Sequence, residues 1–185
     1  MRKRFFLAAI GIVVLAGLAL TTVAGPLDGS RLRTNLRGFQ EVPSISTAAR
    51  GSFRALVSED GNSIDWTLTY RNLEAVVQQA HIHFGQTGVN GGITVFLCTN
   101  LGNGPAGIQA CPASPATITG TITAADVSPN IAATEGARAQ GLGTGEFAAL
   151  IRAIRSGNTY ANVHSATFPG GEVRRQIRAH DDHDD

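Results

Sequence analysis

Residues 52–57 and 64–70 alternate apolar and polar side chains with a period of two, and a turn cluster, Ser-Glu-Asp-Gly-Asn at 58–62, separates them. A period of two belongs to the extended strand, whose successive side chains point to opposite faces. Phe53, Ala55 and Val57 share one face of the first run. Ile64, Trp66, Leu68 and Tyr70 share one face of the second, with Asp65, Thr67 and Thr69 between them. Two such runs around a Gly-Asn turn predict an antiparallel hairpin that is apolar on one side only. Such a hairpin has to lay its apolar side on other strands.

The rest of the chain supplies them. In residues 79–84, Ala80, Ile82 and Phe84 make one face and Gln79, His81 and His83 the other. Residues 93–98 are apolar apart from Thr94, the pattern of a buried strand, and residues 116–123 are rich in Thr and Ile. Residues 159–165 and 172–177 flank a Phe-Pro-Gly-Gly turn at 168–171. Residues 25–30, 85–92, 100–115 and 124–143 carry no periodic pattern and read as loops. One helix stands out over about 145–156: Phe147, Leu150, Ile151 and Ile154 fall at i, i+3, i+4 and i+7. Thr144 is placed to cap its start, Arg152 and Arg155 fall in its last turn, and Gly157 ends it. About eight short strands separated by turns predict a mainly β domain, a sandwich or barrel, with a single amphipathic helix.

The ends bear on the compartment. Arg2, Lys3 and Arg4 precede an apolar run over residues 5–20, and Thr22-Val23-Ala24 follows with small side chains. That order is a secretory signal peptide, residues 1–24, cleaved after Ala24. The alternative, a permanent anchor, needs about 20 apolar residues, and this shorter run contains Gly11 and Gly17. Taking 24 residues from 185 leaves 161, enough for one domain with a core and no membrane span. The leader takes three of the 15 basic residues and leaves 12 against 14 acidic, a balance that argues against nucleic acid as a partner. It also takes Lys3, the one lysine, which excludes Schiff-base and phosphate-loop lysine chemistry. Cys98 and Cys111, an even pair in an exported chain, predict a disulfide, with a two-thiolate metal site as the alternative. The expected location is periplasmic or secreted. The last residues, 179–185, are a His/Asp-rich tail with little to bury, expected to be solvated or to take up metal weakly.

Several segments together resemble one family. Leu-Arg-Gly-Phe-Gln-Glu-Val-Pro (36–43), Ala-His-Ile-His-Phe-Gly (80–85), Asn-Gly-Gly (90–92), Tyr-Ala-Asn-Val-His-Ser (160–165) and Phe-Pro-Gly-Gly-Glu-Val-Arg-Arg-Gln-Ile (168–177) are similar to the motifs of the CHRD domain, named from chordin. The resemblance covers residues 34–178 and departs from the family at Arg175, where a glycine is expected. It implies a secreted immunoglobulin-like, Greek-key β-sandwich. It implies no settled activity, since chordin's repeats belong to a protein that binds growth factors. The His-x-His strand is also similar to that of copper–zinc superoxide dismutases, an analogy only.

His81 and His83 sit two apart on one strand and share a face; Tyr160, Asn162 and His164 share the less apolar face of another. If these strands are neighbours, His81, His83 and His164 converge on one ion. Imidazole suits copper and zinc, and copper stands higher in the affinity order. The same face, opposite the core, is expected to be open, so the imidazoles are also compatible with plain solvation. Asn162, Gln79 or Glu172 are the candidates to bond the second ring nitrogens, and Glu172 or water the candidate fourth ligand. Glu41, Arg174 and Gln176 complete a polar group whose expected role is structural. There is no Gly-x-Ser-x-Gly elbow and no Gly-x-x-x-x-Gly-Lys loop; Gly-Leu-Gly-Thr-Gly (141–145) lacks the dinucleotide spacing. These observations predict an extracytoplasmic metal-binding protein. The alternative is a metal-free module that contacts an extracellular protein or surface polymer; a dismutase-like enzyme comes last, because that site uses four histidines and the domain has three.

Overall fold

The computed structural model describes residues 29–180, without the side chain of His180. The leader at 1–24 and tail residues 181–185 lie outside the described residues. Among the described residues nine strands form one continuous antiparallel ladder. They are β1 (Arg31–Arg37), β2 (Arg50–Val57), β3 (Ile64–Arg71), β4 (Val77–Phe84), β5 (Gly92–Thr99), β6 (Ala116–Ile122), β7 (Thr159–Ser165), β8 (Val173–Gln176) and β9 (Arg178–His180). Their order across the ladder is β5-β4-β7-β8-β1-β2-β3-β6, with β9 beside β1. The fold is mainly β, as the alternation predicts. The ladder curls around a single apolar core, which Phe53 and Leu68 enter from one half and Ile82, Val95 and Val163 from the other. At the gap between edge strands β5 and β6, the Gln109 amide donates to Leu97 O and Thr119 O and nearly closes the barrel.

The predicted hairpin is β2–β3, in register from Arg50↔Arg71 to Val57↔Ile64. Phe53, Ala55, Val57, Ile64, Trp66, Leu68 and Tyr70 are all buried. Cys98 and Cys111 are bonded to each other with Cα atoms 5.1 Å apart. Closing that loop is worth about 3 kcal/mol in the chain-entropy description. The bridge ties the irregular 100–111 segment to β5.

The predicted helix is α2 (Phe147–Arg155), with Phe147, Leu150, Ala153 and Ile154 buried and Gly157 at positive φ just beyond its end. Its start differs from expectation. Thr144 donates its hydroxyl to Ser128 O, while Glu146 stands at the cap and accepts Gly143 N–H. Thr144 therefore pins the preceding loop, not the helix. A second helix, α1 (Glu135–Ala139), lies in the segment without periodicity. It is too short to show one, and it leans on β5, where any Cβ on Gly92 would collide with the backbone of Gly136 and Ala137. Ala179 and His180, assigned to the tail, instead end β9 opposite Leu32 and Arg31, because β1 offers them a free edge to pair with.

Candidate metal centre

The three histidines meet where β4 lies against β7. The register pairs Gln79 with His164, His81 with Asn162 and His83 with Tyr160. Period two therefore places Gln79, His81 and His83 on the same side as Tyr160, Asn162 and His164, and neighbouring strands bring the rings together. His81 Nδ1 is 3.3 Å from His164 Nε2, and each histidine offers a ligand atom within 4.8 Å of the other two. Two nitrogens bound to one ion at about 2.0–2.1 Å with tetrahedral angles are themselves about 3.3 Å apart. This contact is a hydrogen bond between the two rings, at a spacing that two ligands of one ion would share.

The expected open face is closed. His81, His83 and His164 are 0%, 8% and 5% exposed. Loops cross the outer side of β4 and β7, a feature that strand periodicity does not report. The turn after β1 reaches over with Glu41, whose Oε1 accepts the Asn162 amide at 2.9 Å. The loop before β5 is fastened by Arg174, which donates to Asn90 Oδ1 and Val89 O. Gly171 makes the Glu41 approach possible: a Cβ there would lie 2.5 Å from Asn162 Nδ2 and 2.9 Å from Glu41 Oε2.

Main-chain carbonyls set the tautomers. His83 Nδ1 is 3.0 Å from Gly91 O, and His164 Nδ1 is 2.9 Å from Pro169 O. A carbonyl only accepts, so both Nδ1 atoms carry protons and both Nε2 atoms keep lone pairs. His83 Nε2 and His81 Nε2 are buried without a protein partner. Burial drives His83 down to about 3, against the opposing pull of the Gly91 carbonyl and with smaller depressions from His164 and Arg174. Burial also holds His81 well below the ordinary imidazole value, with His83 and His164 adding to it. It lowers His164 too, against the Pro169 carbonyl. All three rings are neutral at neutral pH, the form that binds a metal ion.

Aromatic contacts fix the ring planes. His83 stacks on Tyr160 with centroids 4.7 Å apart and planes 1° from parallel, and the Arg174 guanidinium covers the far face of Tyr160 at 3.9 Å. The edge of Phe96 meets His81 at 4.5 Å. Tyr160 also accepts the Gly91 N–H, so one loop glycine bonds both members of the stack. The alternation of β7 puts Tyr160 on the histidine face; the parts of Phe96, Gly91 and Pro169 carry no sequence signal, because main-chain groups and a continuous apolar run look alike in any strand.

The side chains expected to support the imidazoles have other work. Gln79 accepts from Asn103, and Glu172 accepts from Thr47 and from the Glu74 N–H. Asn162 is committed to Glu41, and its Oδ1, like Glu172 Oε2, is buried without a protein partner. The bonds to the imidazoles that the sequence assigns to Asn162, Gln79 and Glu172 are made by the carbonyls of Gly91 and Pro169. Gln176 donates to Gly85 O and Gly157 O. Glu41, Asn162 and Arg174 form a buried polar group; burial raises Glu41 to about 8, and Arg174 and Asn162 counter only part of that. Arg175 is exposed opposite Ala161, so the larger side chain in place of glycine is accommodated by solvent.

A curled mainly β domain, one disulfide and three buried neutral imidazoles at metal-binding distance define the class of this protein. A family model for the CHRD domain matches residues 32–177, and the chain belongs to that family. No curated protein and no solved structure matches it. No helix among the described residues is long and apolar enough to cross a membrane.

Proposed function

We propose that this CHRD protein is exported, loses residues 1–24 and holds one copper ion at His81, His83 and His164 outside the cytoplasm. The observation that carries the reading is the pair of Nδ1–H bonds to Gly91 O and Pro169 O, which leave the buried Nε2 lone pair of His83 without a partner and turn that of His164 toward His81 Nδ1, 3.3 Å away. A buried nitrogen lone pair without a donor costs about 1–3 kcal/mol, and a bound ion removes that cost. Three nitrogen ligands suit copper or zinc, copper binds more tightly in the usual order, and three ligands leave one position open. The disulfide and the basic-apolar-small order of the leader support export.

Elemental analysis of protein purified after export tests this. One equivalent of copper, a start at Gly25, and loss of the metal in the folded His83→Gln/His164→Gln variant are expected. Metal-free protein, or metal retained in that variant, contradicts the assignment.

A further inference from the structure

The outer side of β1, β2, β3 and β9 is a second surface, and it is rich in arginine. Across the ladder, Arg33 lies opposite Arg54 on one side and Arg178 on the other. Four residues along β1, Arg37 lies opposite Arg50, which lies opposite Arg71. These are two parallel rows of three. Strands stand about 4.8 Å apart and rise about 3.4 Å per residue, so each row is about 10 Å long and the rows are about 13 Å apart. Like charges directly opposite one another in a sheet destabilise it. Among the described residues, no carboxylate lies within ion-pair distance of Arg33, Arg37, Arg54, Arg71 or Arg178. Asp65, the acid on this face, is bonded to Thr121. An open trough of about 660 Å³ runs over the face, floored by Arg33, Arg54, Thr119 and Thr121. Seven of the 12 arginines that follow the leader stand here, Arg31 among them, in a chain segment whose net charge is negative. The sheet therefore concentrates positive charge at a cost to its own stability.

We infer that this face binds an extended surface polymer that carries phosphate groups, one group per arginine row. A phosphate monoester has about −1.5 to −2 charges and three acceptor oxygens, which matches a row of three arginines better than a singly charged carboxylate or sulfate does, although Arg50 also donates to Thr47 O and Ala49 O. A polymer fits the face better than a membrane. Surface-bound segments combine basic side chains with apolar ones that insert. Here the exposed Phe39, Val76, Val89 and Leu101 lie in connecting segments, and Leu56 alone stands among the arginines. The inference builds on the reading of the domain as a binding module and is independent of the histidine site.

Binding of the exported chain to fluorescent dextran phosphate, against dextran sulfate and carboxymethyl dextran of equal charge density and against phosphatidylglycerol vesicles, tests it. Dextran phosphate is expected to bind at least tenfold more tightly than the other two dextrans and more tightly than the vesicles, with affinity that falls as salt rises. Arg33→Thr and Arg54→Thr should each weaken binding fivefold or more while leaving the melting temperature equal or higher, since each relieves a like-charge pair. Arg152→Thr, the same change of charge on α2, should stay within twofold of the parent. His83→Gln/His164→Gln should bind the polymer as the parent does, which separates failure of this site from failure of the metal site. Parent-like binding by Arg33→Thr and Arg54→Thr, equal affinity for dextran sulfate, or tighter binding to the vesicles overturns the inference.

Discussion

The two halves of the ladder use the same strand period in different ways. In β1, β2 and β3 one face is buried and the other is exposed or half-exposed, so the burial pattern of β1 reads as strict alternation. In β7 all seven residues are buried, and β4 and β5 are nearly so. The difference is the loops. Among the described residues nothing crosses the arginine face, whereas the turn after β1, the loop before β5 and the turn before β8 cross the histidine face. Period two decides which side of a strand a residue takes. What lies over that side is decided by segments with no period at all. A polar residue facing outward is thus a solvated surface group in one half and a buried, obligately paired group in the other.

The comparison breaks most readily with acid. The folded values of His81, His83 and His164 are depressed below 6.5, so their contribution to stability is full above pH 6.5 and is lost as pH falls and the unfolded chain takes up protons first. Glu41 works in the opposite sense. Its folded value is raised from 4.5 to about 8, so its contribution is full below pH 4.5 and fades as pH rises through 8. Below pH 6.5 the depressed imidazoles oppose the one raised carboxyl. Metal-free protein should lose stability as pH falls below 6.5, because the buried imidazoles outnumber the single raised carboxyl. Denaturant unfolding at stepped pH measures this; a flat profile would show that the histidine face is open to water after all.

Mutations sharpen the contrast at smaller amplitude. Phe53→Ala, on the inner face of the hairpin, should cost about 3–5 kcal/mol. Among outward-facing residues the halves should part company. Asn162→Ala strips the buried Glu41 of its donor and should cost about 1–3 kcal/mol, whereas Thr119→Ala on exposed β6 should stay within about 0.5 kcal/mol. Equal costs at Asn162 and Thr119 would remove the distinction.

Legibility follows the same division. The hairpin, the α2 stripe, the Cys98–Cys111 bridge and the shared face of His81, His83 and His164 are all visible in the sequence, because each depends on local period or on residue type. Burial of the histidines was not visible, and neither were their carbonyl partners. Those depend on where Gly91 and Pro169 come to rest, and a main-chain carbonyl has no side-chain identity to betray it. The α1 turn and the pairing of Ala179 with Leu32 were hidden for a related reason: five and three residues are too few to carry a pattern. The arginine rows illustrate a third case. Each arginine is plain in the sequence, but their alignment is a property of register, which only the folded ladder sets.

The central claim is that His83 and His164 keep their protons on Nδ1, bonded to Gly91 and Pro169, and bind metal through Nε2 together with His81. Imidazole ¹⁵N–¹H NMR of the mature chain, titrated with the diamagnetic ion Zn²⁺, examines those nitrogens one by one. One equivalent should shift Nε2 of His83 and His164 from the free lone-pair position to the metal-bound one, leave both Nδ1–H signals in place, and perturb His81 in step. Unchanged spectra for these three rings, with zinc taken up at His180 and His183, would contradict the account.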